Sequence, residues 1–104
     1  MNAQFKKGVM ELCVLAQLAR SDQYGYELTE TISGEMEIAT ATLYVVLKRL
    51  KDVGYVETYL KESSEGPARK YYTLTDKGRE KYKELSCEWQ EFKVAVDKII
   101  GQEK

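Results

Sequence analysis

Between Thr40 and Val53 the chain carries two different faces at helical spacing. Leu43, Leu47 and Leu50 recur at one-turn steps, while Tyr44, Lys48 and Lys51 fall on the opposite side and Thr40 and Thr42 stand in the first turn. Hydroxyls, a phenol and ammonium groups on one helix face can hydrogen-bond and neutralise charge, and this polar, aromatic and cationic mixture differs from a merely solvated face rich in glutamate and lysine. A second cationic pair, Arg69 and Lys70, follows a segment rich in serine and glycine. The chain holds no histidine, and so lacks the usual general base, the usual partner of a serine or cysteine nucleophile and the commonest metal ligand. Its acidic residues are scattered among lysines as on a solvated face. The sequence therefore reads as a binding protein, without catalytic residues, metal or cofactor.

The bulk properties narrow what is bound. A chain of 104 residues fits one domain, and no apolar run approaches the roughly 20 residues that cross a bilayer. No signal peptide is recognisable, and Cys13 and Cys87 lie far apart, as expected for small buried or half-buried apolar residues in a reducing, cytoplasmic setting. Net charge is -1, unevenly spread. Residues 1–39 set Lys6, Lys7 and Arg20 against six acids, whereas residues 40–70 set Lys48, Arg49, Lys51, Lys61, Arg69 and Lys70 against Asp52, Glu57, Glu62 and Glu65. A locally basic middle suits a polyanion better than the total suggests.

The elements that must position these groups follow from periodicity. Phe5, Val9, Leu12, Cys13 and Ala16, with a second flank of Val14, Leu15 and Leu18, predict a first helix over Gln4–Ala19 that is buried on more than one side. Ser21 and Asp22 are candidate caps for a short second helix from Gly25 to Ser33, stopped by Gly34. After a link from Glu35 to Ile38, the third helix runs to Val53 before Gly54. The period then changes to two: Val56, Thr58 and Leu60 alternate with Glu57, Tyr59 and Lys61, and a second strand covers Lys70–Leu74. Glu62–Arg69 between them, with Ser63, Ser64, Gly66 and Pro67, reads as a mobile polar loop longer than a tight turn. Thr75 is positioned to cap a last helix, along which Tyr82, Leu85, Trp89, Phe92, Val96 and Ile99 are spaced 3, 4, 3, 4, 3 before Gly101 ends the order.

Helix, short helix, polar-faced helix and hairpin, in that order, give a fold that is mainly α with a small β-hairpin, a winged helix-turn-helix over residues 1–75 followed by a C-terminal dimerisation helix over 76–104. In that arrangement the third helix enters the major groove of double-stranded DNA and the hairpin reaches the neighbouring backbone. Thr40, Thr42, Tyr44 and Lys48 are the candidate reading residues; Arg69 and Lys70 supply wing charge. Each has a plainer reading, with Tyr44 packed under the wing, Lys48 and Arg49 merely solvated and Arg69 an unpaired loop charge. A period switch directly after a basic helix favours the joint functional reading. The last helix's stripe exceeds what one short first helix can cover, so Phe5, Val9, Leu85, Trp89, Phe92 and Val96 are candidate homodimer residues. Trp89 is either the buried anchor of that seam or part of a cavity between protomers.

The segments Tyr24–Leu28 (YGYEL), Ala41–Tyr55 (ATLYVVLKRLKDVGY) and Gly66–Glu80 (GPARKYYTLTDKGRE) resemble the PadR family of bacterial transcriptional regulators, in order and approximate spacing. The resemblance covers most of the chain. It implies a homodimer on a roughly palindromic operator, a repressor role, and membership of the smaller subfamily with one helix after the wing. In some members of that subfamily the first and last helices of two subunits enclose a pore where paired tryptophans sandwich a planar apolar ligand. Trp89 stands at the matching place, with Met10 expected to line the same region. Two departures are plain: Ala39 and Thr40 open the third helix where the family often has a small polar residue and proline, and Val45 follows the tyrosine where proline is frequent. The competing function is a winged-helix module for protein association with no DNA target.

Overall fold

The computed structural model describes residues 3–101, with side chains from Lys7 onward. Among them four helices and three strands follow one another: α1 (Ala3–Arg20), β1 (Gln23–Tyr24), α2 (Gly25–Met36), α3 (Thr40–Asp52), β2 (Val56–Ser63), β3 (Gly66–Leu74) and α4 (Asp76–Ile100). The strands form one antiparallel sheet in the order β1-β3-β2, with Tyr24 opposite Tyr71 and Tyr59 opposite Tyr71 on the other side. This is the winged helix that the periodicity predicts, widened by one short strand.

The core lies where α1, α2, α3 and the base of the sheet meet. Leu15, Leu28, Leu43, Leu47 and Leu50 are each fully enclosed, together with Val14 and Val56. Burying a side chain of that size contributes about 1.5–3 kcal/mol, so this leucine cluster is the main term that orients α3. Arg49, on the flank of α3, pairs with Glu11 of α1 and ties the two helices at the rim of the core.

Two close approaches fix the frame. Thr75 begins α4: its hydroxyl accepts from the Gly78 amide (2.9 Å) and donates to the Gly54 carbonyl (2.7 Å). Gly54 turns the chain with a φ of 89°, and Gly78 has no room for a side chain, since a Cβ there would stand 2.0 Å from the Tyr55 carbonyl oxygen. Gly25 plays the same part at the start of α2, where a Cβ would lie 2.9 Å from the Tyr72 ring.

Four expectations are corrected. Gly34 does not stop the second helix, which continues to Met36 and closes on Glu37 in the left-handed conformation (φ 53°). One glycine inside a helix weakens it by about 1 kcal/mol, less than the packing of Leu28 and Ile32 supplies. Ser21 and Asp22 cap nothing, because Gln23 and Tyr24 are drawn into the sheet and Tyr24 takes the N-cap position. The stretch Glu62–Arg69 is not a long loop: the strands run on to a two-residue turn at Ser64 and Glu65, where the Glu65 amide donates to the Ser63 hydroxyl (3.3 Å). Pro67 is tolerated because the register slips between Lys61 and Ser63, so it sits in a bulge where no ladder N–H is needed. Cys13 is half-buried as expected, and burial pushes its thiol pKa up; Cys87 is exposed instead, 3.8 Å from the Glu91 carboxylate.

Candidate nucleic-acid interface and the α1–α4 groove

The outward face of α3 is built by subtraction. With Leu43, Val46, Leu47 and Leu50 turned into the core, a pitch of about 3.6 residues leaves Ala41, Thr42, Tyr44, Val45, Lys48, Lys51 and Asp52 outside. Thr42 and Lys48 are exposed, Tyr44 is 43% exposed and Thr40 is half-covered at the helix start. Ala39, which cannot cap, precedes it in extended conformation. Lys48 is solvated, with its side chain 78% exposed, and its ammonium lies 3.1 Å from Asp52 one turn later.

The hairpin that follows is an extended two-strand arm, and its alternation separates two residues that sequence reasoning had joined. Arg69 and Lys70 are consecutive in mid-strand and so project from opposite faces of the sheet. Arg69 shares its face with Lys61, Tyr59, Tyr71 and Tyr24. There the Tyr59 and Tyr71 rings stack at 5.7 Å, Tyr71 and Tyr24 meet at 6.0 Å, and Tyr24 and Tyr26 at 6.1 Å. The Arg69 guanidinium covers the Tyr24 ring at 4.9 Å and the Lys61 ammonium covers Tyr71 at 5.1 Å. Both cations are thus oriented by aromatic faces, an attraction of about 0.5–1 kcal/mol each at exposed sites. The Tyr59 hydroxyl donates to the Asp22 carboxylate (2.8 Å), which bolts β2 to the segment before β1. That hydrogen bond, above all, raises the Tyr59 phenol pKa. Lys70 is opposite Leu60 on the other face, the one whose base is sealed by Tyr72. Burial raises the Tyr72 pKa, with a smaller contribution from nearby Tyr44, so this face of the arm adjoins α3.

The seam divides into two parts. Tyr82 and Leu85 pack against the core of their own chain, as an amphipathic helix in a small domain ordinarily does. Beyond them Trp89 is 36% and Phe92 51% exposed, with ring centroids 6.4 Å apart, and Val96 is half-covered. Gly8, Val9, Leu12, Leu85, Glu88, Trp89 and Phe92 line an open groove of about 250 Å³ between α1 and α4. Met10 is not among them; it is 7% exposed and belongs to the core, because α1 turns that side inward. The Phe5 side chain lies outside the described residues. The radius of gyration, 15.6 Å, exceeds the approximately 13 Å of a compact domain of this length, and α4, about 37 Å long, projects past the body.

Sequence reasoning missed β1, the tyrosine ladder that β1 completes, the Arg49–Glu11 pair and the outward position of Ala41 and Val45. The ladder had one signal, tyrosine at 24, 59 and 71, but only strand register could bring those three together, with Tyr26 added from the start of α2. No described helix is long and apolar enough to cross a membrane.

A family model described as transcriptional regulator PadR-like matches residues 14–84. The chain is similar to a Streptococcus mutans protein of solved structure, with 38% identity, a TM-score of 0.85, and coverage of 91% of this chain and 89% of that one. A PadR-like transcriptional regulator from Bacillus cereus is 34% identical with a TM-score of 0.84, covering 94% and 97% respectively. An uncharacterized protein of Lysinibacillus sphaericus is 36% identical over 95 residues, 88% of this chain and 87% of its own.

Proposed function

The chain belongs to the PadR-like family of transcriptional regulators, and from that premise we propose that it is a homodimeric, sequence-specific DNA-binding repressor acting in the cytoplasm. One observation carries the reading: the exposed face of α3, with Thr42, Tyr44 and Lys48, is followed in the fold by a hairpin that bears Lys70 on the face shared with Tyr72 and Lys61 and Arg69 on the other. A helix enters the major groove of an operator and hydrogen-bonds to base edges and phosphates, while the arm's cations neutralise neighbouring phosphates. Thr40 contributes at the helix start. The distal half of α4, with exposed Trp89 and Phe92 and half-covered Val96, supports pairing of two protomers, joined by Phe5 and Val9 of α1, so that two α3 helices meet two half-sites.

The experiment is a titration of a labelled duplex from the chain's own promoter region at increasing salt. Binding that weakens linearly with the logarithm of salt concentration, through counterion release, supports the proposal. No binding at low salt overturns it, and a partner protein captured with no salt slope would favour the protein-association module.

A second reading rests on the groove beside Trp89. An open apolar slot with an indole on one wall supports a planar apolar ligand, held between paired protomers, that relieves repression. Trp89 is the chain's only tryptophan, so its emission reports on that slot directly. Planar cationic dyes that leave the emission unchanged at saturating concentration remove this reading.

A further inference from the structure

Ala41, Val45, Lys48 and Asp52 fall on the line of α3 directly opposite its buried stripe. Lys48 and Asp52 neutralise each other on the C-terminal half of that line. Its N-terminal half, which leads into the candidate interface, is hydrocarbon: Ala41 is exposed and Val45 is 69% exposed. Thr42 stands on one side and Tyr44 on the other. Nothing in folding asks for valine there, because a straight-chain polar residue has the higher helix propensity and stays hydrated. A single exposed apolar residue is ordinary on most surfaces. This one is central in a face whose surroundings are hydroxyls and cations.

The surface that complements a small apolar knob ringed by such groups is itself anionic at its rim and apolar at one spot on its floor. An apolar protein pocket does not call for the cations, and a lipid surface calls for longer and more numerous apolar side chains. In the major groove of duplex DNA, thymine is the base whose edge presents hydrocarbon, through its C5-methyl group.

We propose that Val45, with Ala41 beside it, packs against thymine C5-methyl groups and is a specificity-determining residue selecting thymine at one position of each half-site. The inference rests on the DNA-binding reading above and adds to it the chemistry of one recognised base. The short side chains of Ala41 and Val45 let the α3 backbone come close to the groove floor, where Thr42 and Tyr44 on either side reach polar edges. Lys48 and the arm set orientation through phosphates and carry no such preference.

The test uses the full chain and a duplex recovered by selection from a random-sequence library, remade with uracil replacing thymine one position at a time. Uracil keeps every hydrogen-bonding group and lacks only the methyl. One thymine per half-site is expected to be sensitive, each replacement weakening binding about fourfold, the transfer value of one methyl-sized group. Val45→Ala, which leaves an exposed helix position better suited to helix, should bind the thymine duplex more weakly and be indifferent to uracil at that position. Uniform tolerance of uracil by the native chain, or undiminished uracil sensitivity in Val45→Ala, overturns the inference while DNA binding stands. Failure to recover or bind any duplex at low salt overturns the DNA-binding reading, and this inference with it.

Discussion

Lys48 on α3 is held 3.1 Å from the Asp52 carboxylate, so the central cation of the candidate reading face already has a partner one turn away. Both side chains are well exposed, and such a pair is worth only about 0.3–0.5 kcal/mol. A charge-assisted hydrogen bond to phosphate contributes about 1.5–3 kcal/mol, so the ammonium leaves Asp52 when DNA arrives. Asp52 then faces a polyanion uncompensated. Asp52→Asn is expected to tighten binding several-fold at low salt, and Lys48→Ala to weaken it and lower the salt slope by about one. Fluorescence anisotropy over a range of salt measures both; unchanged affinity in both variants would remove this turn of α3 from the interface.

The Tyr59–Asp22 bond makes the arm's attachment sensitive to loss at alkaline pH. The phenol pKa is raised above its ordinary value of 10.0, so the folded state favours the protonated form. Its contribution is fully present below pH 10 and is lost as pH rises through the elevated folded value. Thermal unfolding should show the native chain above Tyr59→Phe by a constant margin near neutrality, with the margin closing only beyond pH 10. A margin that stays constant across that range would mean that the phenol is not the group that holds the arm.

Two glycines that both lie within helices should respond in opposite directions. Gly78→Ala drives a Cβ into the Tyr55 carbonyl and is expected to destabilise by about 3 kcal/mol, since backbone on both sides must shift. Gly34→Ala meets nothing within 4 Å, lies inside α2, and should stabilise by about 0.5–1 kcal/mol. Urea denaturation at constant m-value decides both. Equal effects at the two positions would contradict the close crossing of α4 over the Gly54–Tyr55 turn.

That contrast also shows which features the sequence could disclose. The α3 stripe and the α4 series were legible because helical periodicity is a local property, and the winged helix followed from their order. Gly34 and Gly78 look alike until the Tyr55 carbonyl is in place, because a close approach is a tertiary fact. Glu62–Arg69 misled because serine, glycine and proline occur both in long loops and in a tight hairpin with a bulge; register, not composition, separates the two. Arg69 and Lys70, read as one patch, belong to opposite faces once β3 extends through them. Met10 was misplaced because α1 is apolar on two flanks, and only the packing of α2 and α3 determines which is inside.

The last prediction concerns the division of the α4 series. Tyr82 and Leu85 pack against their own core, whereas Trp89 and Phe92 are 36% and 51% exposed, so the two halves should fail differently when changed. Leu85→Ala removes a partly buried side chain that packs within the protomer and should lower the unfolding midpoint. Phe92→Asp places a charge in the exposed stretch and should leave helicity intact while converting a dimer to a monomer, because an unpaired charge cannot be desolvated between protomers. Sedimentation velocity with circular dichroism separates the outcomes. If the homodimer is needed to span two half-sites, the same variant should lose most of its operator affinity while keeping weak, non-cooperative binding to a single half-site. A Phe92→Asp chain that remains dimeric would locate the protomer contact elsewhere and detach the Trp89 groove from it.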